Sequence, residues 1–348
     1  MILRSSTFKK QVETPKAVLL QIVTQRQVGA YCRQTPHTYM DFFREPSFTP
    51  LDIVEDILEQ LNAMGTKHIT LSGLGDCALH PDLKRILQKC QTLGMETILE
   101  TTTIGLPVLL LTQAQVLRIP LWAFSLRHQT QTRMELNDSL FLNLLATLDE
   151  LASRRRQKDV AVPDVELVVT VTADNVAYLA DLDGILSNNR VQKLRLGYVN
   201  RTTALTELEI PPAPTAPEVQ SAYTELEKIC KEYKVSSNLK TFKKEGTNPK
   251  HEWNAYPCWV GYSFARISPY GEVRPCSHSR LIVGNIFETP SFETLWNSQR
   301  FLQFRTQMST QLPLLGSYDE CGACPYLAFN QKVSGMGLTH ITELDLEV

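Results

Sequence analysis

Four cysteines near the C-terminal end constrain this chain more than any other feature. They form two pairs, Cys258 with Cys276 and Cys321 with Cys324, and they are half of the eight cysteines in the sequence. Between the first pair, residues 267–273 have apolar residues on both sides of a Pro/Gly turn, a pattern that predicts a β-hairpin. Because a hairpin folds the chain back on itself, we expect Cys258 and Cys276 to lie close in space.

This grouping of cysteines indicates a metal or cluster site. The two-residue spacing between Cys321 and Cys324 lets both sulfurs face one ion. Four converging thiolates suit zinc or an iron–sulfur cluster. Unligated cysteines in a protein core rarely cluster in this way.

Composition narrows the class of protein. The 348 residues include 35 Lys and Arg and 37 Asp and Glu, and this near balance argues against a nucleic-acid or membrane-surface binder. The N-terminal residues lack the apolar core of a signal peptide, and the apolar run 106–111 is too short to cross a bilayer. We therefore expect a cytoplasmic protein, in which grouped cysteines bind metal more often than they form disulfides.

Strands and helices alternate along the first two thirds of the chain. A β-rich apolar run at 17–23 predicts a buried strand, a helix follows from residue 51, and a second strand at 68–71 leads into a glycine-rich turn. The later elements predicted from the pattern are strand 95–101, a helix near 112–119, strand 121–125, helix 140–155, strand 165–171, helix 175–188 and strand 192–198. About six such units indicate an α/β fold with a parallel sheet, either an incomplete barrel or a doubly wound sheet.

A proline-rich segment marks a boundary after these units, at 210–217. The predicted divisions are an N-terminal arm at 1–16, the barrel at 17–205, a linker and helix at 206–235, a cluster domain at 236–330 and a tail at 331–348.

Two stretches resemble one protein family. Residues 69–76, with Gly73, Gly75 and Asp76, followed by Leu-His-Pro-Asp-Leu at 79–83, resemble the turn after strand 2 of radical S-adenosylmethionine (AdoMet) enzymes. The cysteine stretch 258–324 resembles the SPASM or shortened twitch domain of many such enzymes. The resemblance implies a partial (β/α)6 TIM-like barrel followed by a small α+β domain with an auxiliary iron–sulfur cluster.

The resemblance also implies a set of site residues. No cysteine follows Cys324, so four ligands remain, enough for one 4Fe–4S cluster of the twitch type, with zinc as the alternative occupant. The ligands implied are Cys258, Cys276, Cys321 and Cys324. In the barrel, Gly73, Gly75 and Asp76 correspond to the turn that holds the methionine group of AdoMet, and Ser125 and Asn175 fall near its ribose and adenine. Serine and asparagine at such positions also serve as helix caps or turn residues.

One departure from the family pattern bears on activity. Radical AdoMet enzymes carry C-x3-C-x2-C after the first strand, where three thiolates hold the cluster that cleaves AdoMet. Here the loop 24–35 contains only Cys32. If Cys32 is the middle cysteine, Val28 and Thr35 stand at the other two positions, and in a second alignment the three positions are Gln27, Tyr31 and Gln34. Valine, threonine and glutamine cannot replace a soft thiolate on iron.

The sequence therefore predicts a family member without the radical-generating cluster. Such a protein would bind a peptide, a protein or a small molecule, or relay electrons for an active partner enzyme. Two alternatives stay open. One is an active enzyme with an unorthodox N-terminal cluster that includes Cys32, and the other is a zinc-stabilised structural or binding protein.

Overall fold

The structure of the chain is a computed structural model. It describes residues 14–24, 48–73, 75–101, 106–121, 124–125, 138–157, 162–198, 214–247, 256–277, 279–310, 324 and 326–336. Cys32 and Cys321 lie outside these described residues, and so does the rest of the loop that corresponds to the family's cysteine motif.

The described strands form one sheet. In chain order they are β1 Ala17–Gln21, β2 His68–Ser72, β3 Glu96–Glu100, β4 Val116–Pro120, β5 Asp164–Val171, β6 Lys193–Tyr198, β7 Ser236–Ser237, β8 Phe264–Ile267, β9 Glu272–Arg274 and β10 Gly284–Asn285. Their spatial order is β10-β9-β8-β1-β2-β3-β4-β5-β6-β7. Every pairing from β8 through β1 to β7 is parallel, and only the β8–β9 and β9–β10 pairings are antiparallel.

Helices connect the parallel strands, as the alternating pattern predicts. The described α-helices are α1 Leu51–Ala63, α2 Leu83–Thr92, α3 Val108–Leu111, α4 Asp138–Gln157, α5 Asp183–Leu186, α6 Ala216–Tyr233, α7 Leu239–Thr247, α8 Phe292–Trp296, α9 Gln299–Thr310 and α10 Leu327–Met336. Short 3-10 helices lie at Cys77–Leu79, Val176–Leu182 and Val260–Tyr262. Within the described part of the chain, no helix has the length and apolar character needed to cross a membrane.

One stretch of the sequence prediction is wrong. Residues 116–120 form strand β4, where the sequence predicts a helix near 112–119, and the short helix α3 precedes it. The predicted strand 121–125 is displaced accordingly, since β4 ends at Pro120 and residues 121, 124 and 125 are not in a strand. Leu117 and Ile119 are buried on one face of the strand, with Arg118 on the other. The apolar spacing is therefore the two-residue period of a strand, which a short apolar run does not distinguish from a helix.

The two faces of the sheet differ in character. On the face that packs against the helices, residues in register on five adjacent strands are almost fully buried in the main hydrophobic core: Leu20, Leu71, Leu99, Leu117 and Val165. The next residue of each strand points to the opposite, inner face. There the side chains in register are polar and form what we name the polar band: Gln21, Ser72, Glu100, Arg118, Glu166 and Lys193.

The C-terminal hairpin is part of the same sheet. Strand β8 pairs in parallel with β1, and Leu19 is in register with Arg266. Arg266 is fully buried, and its Nε donates to Oε1 of Gln21 at 2.7 Å. Its Nη1 donates to the carbonyl of Ser277 at 3.2 Å, next to Cys276. This arginine therefore joins the first barrel strand to the loop that carries one of the predicted cluster ligands.

Candidate iron–sulfur site and barrel edge

The turn after β2 contains three of the residues predicted to bind AdoMet. A Cβ on Gly73 would lie 2.4 Å from the carbonyl oxygen of Gly75, so this tight turn requires glycine. Asp76 is buried, and its Oδ1 accepts hydrogen bonds from the backbone N–H of Ala78 at 2.9 Å and from Oγ1 of Thr101 at 2.5 Å. The carboxylate thus caps the 3-10 helix that follows and links the ends of β2 and β3.

Cys77 lies next to this carboxylate but is placed as a core residue. Its side chain is fully buried, and its thiol donates to the carbonyl oxygen of Glu100 at 2.9 Å. Burial, together with the negative charges of Asp76 and Glu100, raises the pKa of Cys77 well above its ordinary value. Cys77 is therefore a packing residue of the main hydrophobic core.

The two residues predicted to lie near ribose and adenine, Ser125 and Asn175, both form hydrogen bonds with other residues of the chain. Oγ of Ser125 donates to Oδ2 of Asp181 at 2.5 Å. Asn175, which follows β5, accepts from the backbone N–H of Thr172 at 2.9 Å and donates to the carbonyl of Thr170 at 2.8 Å. The Asn175 amide therefore closes its own turn at the carboxyl end of the strand.

A second hydrophobic core surrounds the described cysteines of the C-terminal domain. Its buried members are Leu19, Val260, Tyr262, Phe264, Tyr326, Phe329 and Val333, and Cys258, Cys276 and Cys324 pack against it. The structure thus brings three of the four predicted ligands to one small core. Among the described residues, no three Cys, His, Asp or Glu side chains come close enough to hold a metal on their own. Cys321, the fourth predicted ligand, is outside those residues.

Two elements position the cysteines of the first pair. The predicted hairpin is confirmed, since β8 and β9 are antiparallel and Gly271 turns with a φ of 79°. Cys276 lies two residues beyond β9, and its sulfur accepts a hydrogen bond from the backbone N–H of Ser279 at 3.2 Å. The backbone N–H of Cys258 donates to the carbonyl of Met308 on α9 at 2.8 Å. Both ligand-bearing loops are therefore fixed by ordered backbone.

Arg305 of α9 fixes the segment that follows Cys258. Its Nε donates to the carbonyl of Gly261 at 2.8 Å, and its guanidinium lies over the rings of Trp296 and Phe301 at 4.0 and 4.1 Å. The hydroxyl of Tyr262 donates back to the carbonyl of Arg305 at 3.1 Å. Burial lowers the pKa of Arg305 to about 9. Sequence reasoning did not identify this residue, because its partners come from three separate segments.

Asn330 connects two of the predicted ligands. It is 4% exposed, its Oδ1 accepts from the backbone N–H of Trp259 at 2.8 Å, and its Nδ2 lies 4.0 Å from the sulfur of Cys324. Burial raises the pKa of the Cys258 thiol, and hydrogen bonds from the Val260 backbone and from the Asn330 side chain partly offset this rise. One turn later, Oγ of Ser334 accepts from Nε1 of Trp259 at 3.0 Å. The sequence does not reveal this role of Asn330, because its contacts with the two sulfurs exist only in the folded chain.

We expect replacement of Asn330 by alanine to weaken the cluster without preventing its assembly. N–H donors to the sulfurs stabilise the more negative, reduced cluster, so their loss should lower its midpoint potential. Loss of an outer-shell partner should also speed iron release to a chelator about 10-fold. Redox titration followed by electron paramagnetic resonance and a chelation time course measure the two effects. The control is Gln331→Ala, its neighbour on α10; equal potentials and release rates in both variants would contradict the role of Asn330.

Comparison with known proteins agrees with this arrangement. Residues 258–325 match the model of the SPASM family, an iron–sulfur cluster-binding domain. A 70-residue segment is 39% identical to the AdoMet-dependent heme synthase of Nitratidesulfovibrio vulgaris. That segment is 20% of this chain and 17% of the relative, so the chain matches about a sixth of that protein's length.

Solved structures extend the similarity to nearly the whole chain. SuiB of Streptococcus suis, bound to its precursor peptide SuiA, covers 94% of this chain with a TM-score of 0.64 and 15% identity, and 75% of its own chain is covered. The protein anSMEcpe with bound AdoMet covers 84% of this chain with a TM-score of 0.61 and 10% identity, and 80% of its own chain is covered. These neighbours have the partial-barrel fold that the sequence predicts. The chain therefore combines a fold similar to those of SuiB and anSMEcpe with a C-terminal segment that matches the SPASM iron–sulfur cluster-binding domain.

Proposed function

We propose that this chain is an iron–sulfur protein that holds one 4Fe–4S cluster in its C-terminal domain and binds a ligand in its barrel. The observation that carries the proposal is the convergence of Cys258, Cys276 and Cys324 on one small core, with N–H donors directed at their sulfurs. Cys321, two residues before Cys324 in the C-x-x-C pair, is the proposed fourth ligand.

The residues present fit such a cluster. Thiolate sulfurs that accept hydrogen bonds inside an apolar shell are the environment in which iron–sulfur clusters are held and their potentials set. A bound cluster would supply one-electron transfer. The chain's own part is to exclude water with Tyr262, Phe264 and Tyr326 and to orient the sulfurs through Asn330 and the Ser279 N–H.

The barrel is proposed to bind AdoMet at the carboxyl ends of its strands. SuiB has been solved bound to AdoMet and covers 94% of this chain with a TM-score of 0.65 and 14% identity, which supports AdoMet as a ligand here. The location follows from the general rule that ligands of parallel α/β folds bind at the carboxyl ends of the strands. In this chain Gly73, Gly75 and Asp76 would receive the methionine group, and Ser125 and Asn175 lie on the loops that would face ribose and adenine. The acidic Asp76 suits a cationic amino group.

The chain is proposed to lack the cluster that generates a radical. Only Cys32 supplies a thiolate in the loop 24–35, and one thiolate cannot replace three. The barrel would then act in binding, and the C-terminal cluster would relay electrons to an active partner enzyme. A peptide is a suitable ligand class, since SuiB and anSMEcpe have been solved with the peptides SuiA and Cp18Cys.

Metal analysis of anaerobically purified protein tests this proposal. We expect about four irons per chain, the spectrum of a single 4Fe–4S cluster, and no 5′-deoxyadenosine after reduction in the presence of AdoMet. About eight irons together with 5′-deoxyadenosine would instead indicate an active enzyme with a second cluster. Zinc without iron would contradict the proposal and favour a structural metal site.

A further inference from the structure

Charged side chains on the inner face of the sheet have no role in the cluster site. Arg118 on β4 is in register with Glu166 on β5, and Arg195 on β6 contacts Glu166 diagonally across the strands. The side chains of Arg118 and Glu166 are each 6% exposed, and that of Arg195 is 17% exposed. Burying three ionised groups is costly unless each finds complementary partners.

One carboxylate is shared by the two guanidinium groups. Nε of Arg195 contacts Oε1 of Glu166 directly. Nη2 of Arg118 lies 3.6 Å from Oε2 of Glu166, which is beyond a direct hydrogen bond. Nε of Arg118 is buried and has no hydrogen-bond partner among the described residues. Since a buried charged donor without an acceptor costs free energy, Arg118 is suited to bind an acceptor that these residues do not supply.

The cross-strand neighbours of Arg118 and Glu166 are also charged. On one side of Arg118, Glu100 accepts a hydrogen bond from Oγ of Ser72 at 2.9 Å. On the other side of Glu166, Lys193 is the cross-strand neighbour. Among the described residues, Arg118 is a buried cation whose Nε lacks an acceptor. A ligand that complements this guanidinium group is an anion.

We propose that Arg118 binds a carboxylate of the barrel's substrate or peptide ligand. The planar guanidinium fork matches a carboxylate in two parallel hydrogen bonds. This inference rests on the proposed function, in which the barrel receives a ligand, and it assigns the chemical class of that ligand. The ligand is a small molecule or a peptide with a carboxylate, on a side chain or at its C-terminus.

Binding of succinate and of succinamide to the full-length, cluster-loaded protein tests the assignment by calorimetry. The two probes have the same shape, and only succinate carries carboxylates. We expect saturable binding of succinate alone, and affinity about 10-fold or more weaker in Arg118→Gln, because charge-assisted hydrogen bonds are lost. Arg300→Gln, which removes an exposed arginine on α9, is the control and should bind like the wild type. No succinate binding, or equal binding by Arg118→Gln, would overturn the proposal.

AdoMet also carries a carboxylate, so a second comparison separates cofactor from substrate. We expect wild type and Arg118→Gln to bind AdoMet equally. If the variant lost affinity for AdoMet but not for decarboxylated AdoMet, Arg118 would belong to the cofactor site and the substrate assignment would be wrong. If the wild type bound no AdoMet, that result would count against the proposed function, while the succinate comparison would still decide the carboxylate site.

Thermal unfolding distinguishes ligand binding from a structural role. Arg195 still neutralises Glu166 in Arg118→Gln, so the ligand-free variant should melt at or above the wild-type temperature. A fall of more than about 3 °C would make Arg118 a structural residue and would overturn the proposal.

Discussion

Cys276→Ala is expected to lower the iron content from about four per chain to less than about one, because the 4Fe–4S cluster loses one of the four thiolates proposed to hold it. The variant also removes the sulfur that accepts the hydrogen bond from Ser279. Cys258→Ala, Cys321→Ala and Cys324→Ala should have the same effect. Colorimetric iron and sulfide assays, with the visible absorption spectrum, measure the loss.

Cys90→Ala is the matched control for these variants. Cys90 is fully buried among the apolar residues of α2, and burial raises the pKa of its thiol to about 11. This thiol is therefore neutral and serves packing. Its replacement should lower stability by about 1–2 kcal/mol and leave the iron content unchanged. Iron loss from a folded Cys90→Ala protein would show that the ligand assignment is wrong.

Gly271→Ala is expected to destabilise the protein by about 3 kcal/mol and to reduce iron retention. Gly271 has a φ of 79°, and an added Cβ would lie 2.4 Å from Oδ1 of Asn285 and 2.7 Å from Cγ of Phe287. Moving Asn285 would break the hydrogen bond from its Nδ2 to the carbonyl of Tyr270. Because this hairpin places Cys276, the cluster should be lost at lower denaturant concentration. Chemical unfolding monitored by circular dichroism and by cluster absorbance measures both effects.

Gly65→Ala separates backbone strain from steric overlap. Gly65 ends α1 with a φ of 88°, but an added Cβ would meet no atom within 4 Å. Its replacement should cost about 1 kcal/mol, from the left-handed backbone alone, and leave iron retention unchanged. Equal losses of stability in the two variants would mean that the contacts around Gly271 relax without cost.

The sequence predicts those parts of the structure that depend on near neighbours. The strand–helix alternation and the hairpin at 267–273 follow from local periodicity and turn chemistry, and both are present. The hydrogen bond between Arg266 and Gln21 joins residues 245 positions apart, and no local pattern contains it. The pairing of β8 with β1 likewise joins segments that are far apart in the sequence. Such contacts are decided by tertiary packing.

The polar band was missed for a related reason. A strand with one apolar and one charged face has the same composition as a solvated surface strand, so Arg118 and Glu166 carry no separate signal in the sequence. Arg118 and Glu166 are buried by tertiary packing over the inner face of the sheet, which the local sequence does not reveal. Asn330 was missed for the same reason. A single asparagine in a helix has no sequence signal of its own, and its role follows from the sulfurs that it contacts in the folded chain.

The pairing of β8 with β1 also determines how the two parts of the chain depend on each other. Without β8, the backbone N–H and C=O groups along one side of β1 would form an open sheet edge, which invites intermolecular strand pairing. The cluster domain therefore protects the barrel from aggregation. A fragment that ends before residue 256 would expose this edge, whereas loss of iron alone would leave it covered as long as the hairpin stays folded.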